Sequence, residues 1–175
     1  MIKIKKLNFL FLKANKPNKK NKVIVALHGW QGNTNSFIPL AKNKLFQKFD
    51  WYLPEGPYLL NNDTTKRSWS YEKEKNVWET EEPRKLLDDF FDSEIFKKYK
   101  STDVYVIGFS QGALVCYDYV CSLDKPLGAI FPIAGFLRYK KNIIHPNQIS
   151  TPIIIGHGLQ DNVVSVDHSK EAFEL

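Results

Sequence analysis

A serine framed by glycines, in Gly108-Phe109-Ser110-Gln111-Gly112, stands between the apolar run Val104–Ile107 and a second apolar stretch, Ala113–Val120. The first run has the length of a buried strand and the second continues at helical length, so the pentapeptide falls on a strand-to-helix turn. So sharp a turn strains the serine backbone and holds its hydroxyl clear of the chain, and glycines on both sides leave room for it. Gln111 then opens the helix, where its backbone N–H is free to meet a developing negative charge. An ordinary strand-to-helix turn that happens to contain serine is the plain alternative, and the flanking strand and helix weigh against it.

The same rhythm runs through the chain. Val23–Leu27, Trp51–Leu53, Gly128–Ile133 and Pro152–Ile155 are further candidate strands, and helices are expected near Ser36–Gln47, Glu81–Tyr99 and Gln111–Ser122, with a last one beginning at Ser165 or Val166. This alternation predicts an α/β fold, a three-layer α/β/α sandwich around a mostly parallel sheet. Glu81-Glu82-Pro83 suits a first helical turn, and Leu86, Leu87, Phe90, Phe91, Ile95 and Phe96 repeat at the spacing of a face turned to the sheet. Ile2, Ile4, Leu7, Phe9 and Phe11 read as a half-buried strand rather than a signal peptide, because Asn8 breaks the run and no small-residue cleavage site follows. Pro54–Asn76 reads as a long polar loop, and a loop of that length is more often functional than idle. The 175 residues are expected to form one domain.

Two more turns follow strands. His28-Gly29-Trp30-Gln31-Gly32 comes directly after Val23–Leu27, and a glycine-bearing turn there can aim the backbone N–H of Trp30 beside that of Gln111, completing an oxyanion hole. His28 is read as a structural residue bracing this turn. The indole of Trp30 has two places open to it, lining an acyl pocket or covering the core. His157-Gly158-Leu159-Gln160-Asp161-Asn162-Val163-Val164 follows Pro152–Ile155. Asp161, 51 residues after Ser110, stands where the orienting acid of a catalytic triad belongs, although an isolated aspartate in a turn is usually a cap or turn former.

Together, Gly108–Ala113, Leu27–Asn33, Pro132–Phe136 and His157–Val164 resemble the phospholipase/carboxylesterase family of α/β-hydrolases, which includes the acyl-protein thioesterases. The resemblance runs from about Val23 to the end and keeps four motifs in order. It implies an α/β-hydrolase fold and cleavage of carboxylic esters or thioesters through an acyl-enzyme, with Ser110 as nucleophile, Asp161 as acid and the N–H groups of Trp30 and Gln111 as the oxyanion hole. It implies no metal or organic cofactor, and a small ester, thioester or lysophospholipid as substrate. Trp69, in Arg67-Ser68-Trp69, is similar to a tryptophan common in the family's substrate loop. Ala113 departs from the pattern, standing where many members have a further glycine.

A larger departure concerns the base. Only His168 follows Asp161, seven residues on, at the start of the last helix, where a surface position is expected. The fold calls for another strand and then a histidine, so the chain is expected to be C-terminally incomplete, with its last strand missing. A fragment of a longer enzyme is preferred to a naturally shortened homologue that only binds acyl ligands. Without its base a serine is a poor nucleophile, and loss of a triad member leaves about 10³–10⁴-fold over water. Feeble turnover and an exposed apolar sheet edge are the expected consequences.

Charge adds less. From Met1 to Phe49 there are 11 lysines and no acidic residue, within a formal net charge of +6. Such a face would attract an anionic surface weakly, but only three of 25 basic residues are arginine, the side chain suited to bidentate phosphate contacts. Nucleic-acid binding is not expected. No apolar run has the length of a membrane span, and a cytoplasmic protein is expected. Cys116 and Cys121, five apart within one expected helix, are read as reduced core residues, with no metal-ligand pattern around them.

Overall fold

The structure, a computed structural model, describes residues 6–16, 21–139 and 144–174. Its centre is a sheet of β1 (Phe9–Leu12), β2 (Lys22–Leu27), β3 (Phe49–Pro54), β8 (Val104–Phe109) and β9 (Ala129–Ile133), in the order β1-β3-β2-β8-β9. Only β1 is antiparallel, its residues Phe9 to Leu12 lying opposite Pro54 to Trp51. Residues 152–156 extend the sheet beside β9 in parallel: Ile154 N–H donates to the Ile130 carbonyl at 2.9 Å and Gly156 N–H to that of Pro132 at 3.0 Å. The strand read over Ile2–Phe11 is thus present from Phe9 on, while Ile2 and Ile4 lie outside the described residues.

Apolar residues on both faces of the central strands explain why the sheet is covered twice. Val23, Val25 and Leu27 of β2 join Val104, Val106 and Ile130 in one core, against Leu86, Leu87 and Phe90 of α2 (Glu81–Phe90) and Cys116 beyond the elbow in α3 (Gln111–Asp118). Ile24 and Ala26 face the opposite way with Trp51 and Leu53, beneath Ile38, Leu40 and Ala41 of α1 (Ile38–Ala41). Cys116 and Cys121 are free and buried, and burial pushes the Cys121 thiol up to about 12. Among the described residues no helix is long and apolar enough to cross a membrane.

Three expectations need correcting. The helix over Ser36–Gln47 shrinks to α1 and a short 3₁₀ turn, Lys44–Phe46, because the Asn43 side chain accepts the Leu45 N–H at 3.0 Å and ends the α-helical run. The helix over Glu81–Tyr99 changes at Phe91 into a π turn, with Phe96 N–H donating to the Phe91 carbonyl at 2.8 Å; the extra residue keeps both Phe91 and Ile95 in the core. Most of the loop over Pro54–Asn76 is folded. It forms two hairpins, β4 (Tyr58–Leu60) with β5 (Asp63–Ser68), and β6 (Glu72–Glu74) with β7 (Val77–Trp78). Asn61, Asn62 and Asn76 take positive φ in their turns, the conformation asparagine tolerates best after glycine.

Candidate active site

Ser110 joins β8 to α3 with φ 51° and ψ −112°, a conformation that costs a non-glycine residue about 1–3 kcal/mol. Its N–H donates to the Ile133 carbonyl at 2.8 Å, and its own carbonyl accepts from Ala113 and Leu114 at 2.9 and 3.1 Å. The elbow is closed around bare backbone. A Cβ on Gly108 would lie 2.3 Å from the Gly112 carbonyl oxygen, and one on Gly112 would lie 2.0 Å from that of Leu27. Ala113 fits because its Cβ faces a residue without one: a Cβ on Gly135 would approach it to 2.4 Å. Ser110 remains partly open to solvent.

The turn after β2 lies against this elbow, since a Cβ on Gly29 would come within 3.4 Å of the Ser110 Cβ. Gly32 N–H closes the turn on the Gly29 carbonyl at 2.9 Å, with Gln31 at φ 66°. Among the described residues, neither the Trp30 nor the Gln111 N–H donates to a protein acceptor. The Trp30 indole is 61% exposed, so it does not cover the core. His28 is buried beneath the turn: its Nε2 accepts the Gly56 N–H at 2.9 Å, leaving Nδ1–H to donate to the Gly29 carbonyl at 2.7 Å. Burial lowers its pKa from 6.5 to about 4, so the ring is neutral.

Asp161 sits on the turn after residues 152–156, at the same carboxyl end of the sheet. The Ala134 N–H, next after β9, donates to the Gly156 carbonyl at 2.8 Å. One strand, β9, therefore separates the strand ends carrying Ser110 and Asp161, a spread of about 10 Å at two strand spacings. Asp161 Oδ1 accepts from Val163 and Val164 N–H at 2.8 and 3.0 Å, and these bonds, that from Val164 first, hold the carboxyl below its usual range. Oδ2 lies 3.6 Å from His157 Nε2. That imidazole, which the sequence did not single out, is locked between turn and helix: Nε2–H donates to the Val164 carbonyl at 2.7 Å, and Nδ1 accepts from the hydroxyl of Ser169 in α4 (Val166–Phe173) at 2.6 Å.

Among the described residues no imidazole is hydrogen-bonded to Ser110. Besides His28 and His157, His145 Nδ1 accepts from Asn147 N–H at 3.2 Å, and His168 is exposed on α4, 3.8 Å from Glu171. Trp69 is buried, its indole N–H donating to the His28 carbonyl at 2.9 Å. Beside it a cavity of about 460 Å³ opens between α2 and α3, lined by Ser70, Arg84, Leu87, Tyr119 and Arg138 but not by Ser110. This cavity lies off the strained serine and is not the place where chemistry at Ser110 would occur.

A mostly parallel sheet covered by helices on both faces, with a strained residue turning from strand to helix at its carboxyl end, defines an α/β-hydrolase. The known proteins it is similar to narrow the class. The sequence profile of the phospholipase/carboxylesterase family matches residues 12–175, and the chain belongs to that family of ester and thioester hydrolases. Acyl-protein thioesterase 1 of Candida albicans is 28% identical over 182 aligned positions, covering 87% of this chain and 75% of that protein. The Debaryomyces hansenii acyl-protein thioesterase 1 is 36% identical over 75 residues, 41% of this chain but only 32% of the relative's length. In fold the chain is similar to the crystal structures of esterase PE8, with TM-score 0.80, 23% identity and coverage of 97% and 82% of the two chains, and of the Bacillus cereus carboxylesterase, with 0.78, 19%, 96% and 78%.

Proposed function

We propose that this chain is a serine hydrolase of carboxylic esters or thioesters, working through an acyl-enzyme on Ser110. The Ser110 oxygen attacks the acyl carbon and its proton passes to a base. The carbonyl oxygen becomes an oxyanion held by the Trp30 and Gln111 N–H groups, and the C–O or C–S bond breaks as the leaving alcohol or thiol takes the proton. Water then repeats the sequence in reverse and releases the acid. Asp161 is the acid that orients the base imidazole. The observation carrying this reading is the backbone of Ser110, strained and partly exposed beside the Trp30 and Gln111 N–H groups, neither of which donates to a protein acceptor among the described residues. The relatives' names, acyl-protein thioesterase and carboxylesterase, favour acyl thioesters or carboxylic esters as substrates, and the family's name adds lysophospholipids.

A second reading, a chain that binds acyl groups without turning them over, is favoured by the four histidines, each engaged away from Ser110 or exposed on α4. Hydrolysis of p-nitrophenyl acetate with and without added imidazole separates the two. The hydrolase reading expects imidazole, acting as the base, to raise turnover well above the Ser110→Ala background. Equal rates in the parent chain and Ser110→Ala at every imidazole concentration favour the binding-only reading.

A further inference from the structure

One short segment touches both turns that carry the unpartnered amides. Arg67 to Ser70, at the end of β5, bonds to both of them. Toward the Trp30 turn its backbone pairs twice: Gln31 N–H donates to the Arg67 carbonyl and Arg67 N–H to the Gly32 carbonyl, both at 3.0 Å. The Trp69 indole N–H adds the bond to the His28 carbonyl at 2.9 Å, its ring tilted against the His28 imidazole at 5.1 Å. Toward the elbow the segment meets the side chain of Gln111. Gln111 Oε1 accepts the Trp69 N–H at 3.1 Å, and Nε2 donates to Ser68 Oγ at 2.8 Å. Ser68 Oγ also lies 3.2 Å from Gln111 Oε1, but its one proton goes to the closer Ser70 carbonyl at 2.6 Å.

The segment is anchored at its far end to the same helix. Ser70 Oγ accepts from Arg138 at 2.9 Å, and Arg138 Nε lies 3.7 Å from Asp118, the last residue of α3. Ser68, Trp69 and Ser70 are all buried, so water cannot readily replace a lost bond. An oxyanion hole demands that two N–H groups converge on one oxygen, and those bonds weaken steeply with distance and angle. Trp30 and Gln111 are 81 residues apart in sequence, so tertiary contacts alone fix the spacing of their amides.

We infer that the strap Arg67–Ser70 sets that spacing, with the Gln111 carboxamide and the Trp69 indole N–H as positioning residues that act through the two amides. The inference rests on the hydrolase reading above. Gln111 thus has two parts, a backbone donor to the oxyanion and a side chain that holds the donor in place.

The test compares the full chain with Gln111→Met, which keeps the backbone donor and most of the volume, and Trp69→Phe, which keeps a packed ring. p-Nitrophenyl acetate turnover, with imidazole as added base, is normalised to sites titrated by a fluorophosphonate. Each variant should lose about 10- to 100-fold in kcat, the scale of a displaced reacting group, with KM within about twofold. The double variant should lose less than the product of the two, since both loosen one strap. Amide hydrogen exchange at Gln31 and Arg67, whose N–H groups bond across the strap and the Trp30 turn, should quicken in both. Should either variant unfold, Ser68→Ala carries the same expectation. Unchanged kcat and exchange in folded variants, with Ser110→Ala inactive, overturn the strap alone. Turnover that survives in Ser110→Ala overturns the hydrolase reading and the strap together.

Discussion

Replacing His28 by glutamine should flatten the acid side of the stability profile between pH 6.5 and about 4. In the fold His28 is neutral because burial disfavours its charge, outweighing the Gly29 carbonyl and the Glu55 carboxylate, which favour it. Protonating Nε2 would also strip the acceptor from the buried Gly56 N–H. Above pH 6.5 the ring is neutral in both folded and unfolded chains and stability is complete. As the pH falls, the unfolded chain takes up a proton that the folded chain refuses, and stability drops by about 1.4 kcal/mol per pH unit. The decline from the ordinary 6.5 ends near 4, where the folded ring also titrates, for a total of about 3 kcal/mol, a large share of a typical domain's 5–15. Urea unfolding of parent and His28→Gln across this range reads the difference directly. Carboxyls held low, such as Asp161, titrate in both proteins and cancel. The parent's advantage should shrink by about 3 kcal/mol between neutral pH and pH 4. Parallel profiles would refute the assignment of His28 as a buried neutral brace.

Gly108→Ala drives a Cβ to 2.3 Å from the Gly112 carbonyl oxygen, and neither piece of backbone can yield without opening the elbow. It should destabilise by about 3 kcal/mol or more and lose fluorophosphonate reactivity with the fold, read by thermal melting and labelling side by side. The outer edge of residues 152–156 leaves the Ile153 and Ile155 N–H groups without a protein acceptor among the described residues, beside Ile154 at 53% exposure. Such an edge templates pairing with other chains, so Ile154→Lys should reduce self-association in sedimentation while changing stability by no more than about 0.5 kcal/mol.

Much of this was legible because burial writes itself into sequence. Val23–Leu27 and Val104–Ile107 are packed on both faces, so they read as unbroken apolar runs. The elbow was legible because its geometry admits almost nothing but glycine at 108 and 112. The hairpins from Tyr58 to Trp78 were not, since β6 and β7 are exposed on every residue and carry no alternation; asparagine at the turns was their one signal. The strap was invisible for a different reason. Ser68, Trp69 and Gln111 meet only in three dimensions, and their hydrogen bonds leave no period in the chain. His157 had the same obscurity: a histidine beside a glycine after a strand says nothing of Ser169, twelve residues on.

Covalent capture decides whether Ser110 is a nucleophile. The full chain, treated with a fluorophosphonate in the presence of imidazole and digested, should carry a single phosphonyl adduct on Ser110 when its peptides are sequenced by mass spectrometry. That adduct should vanish in Ser110→Ala and on prior unfolding in urea. An adduct on another serine, or labelling that survives the alanine substitution, would show that Ser110 is not the nucleophile.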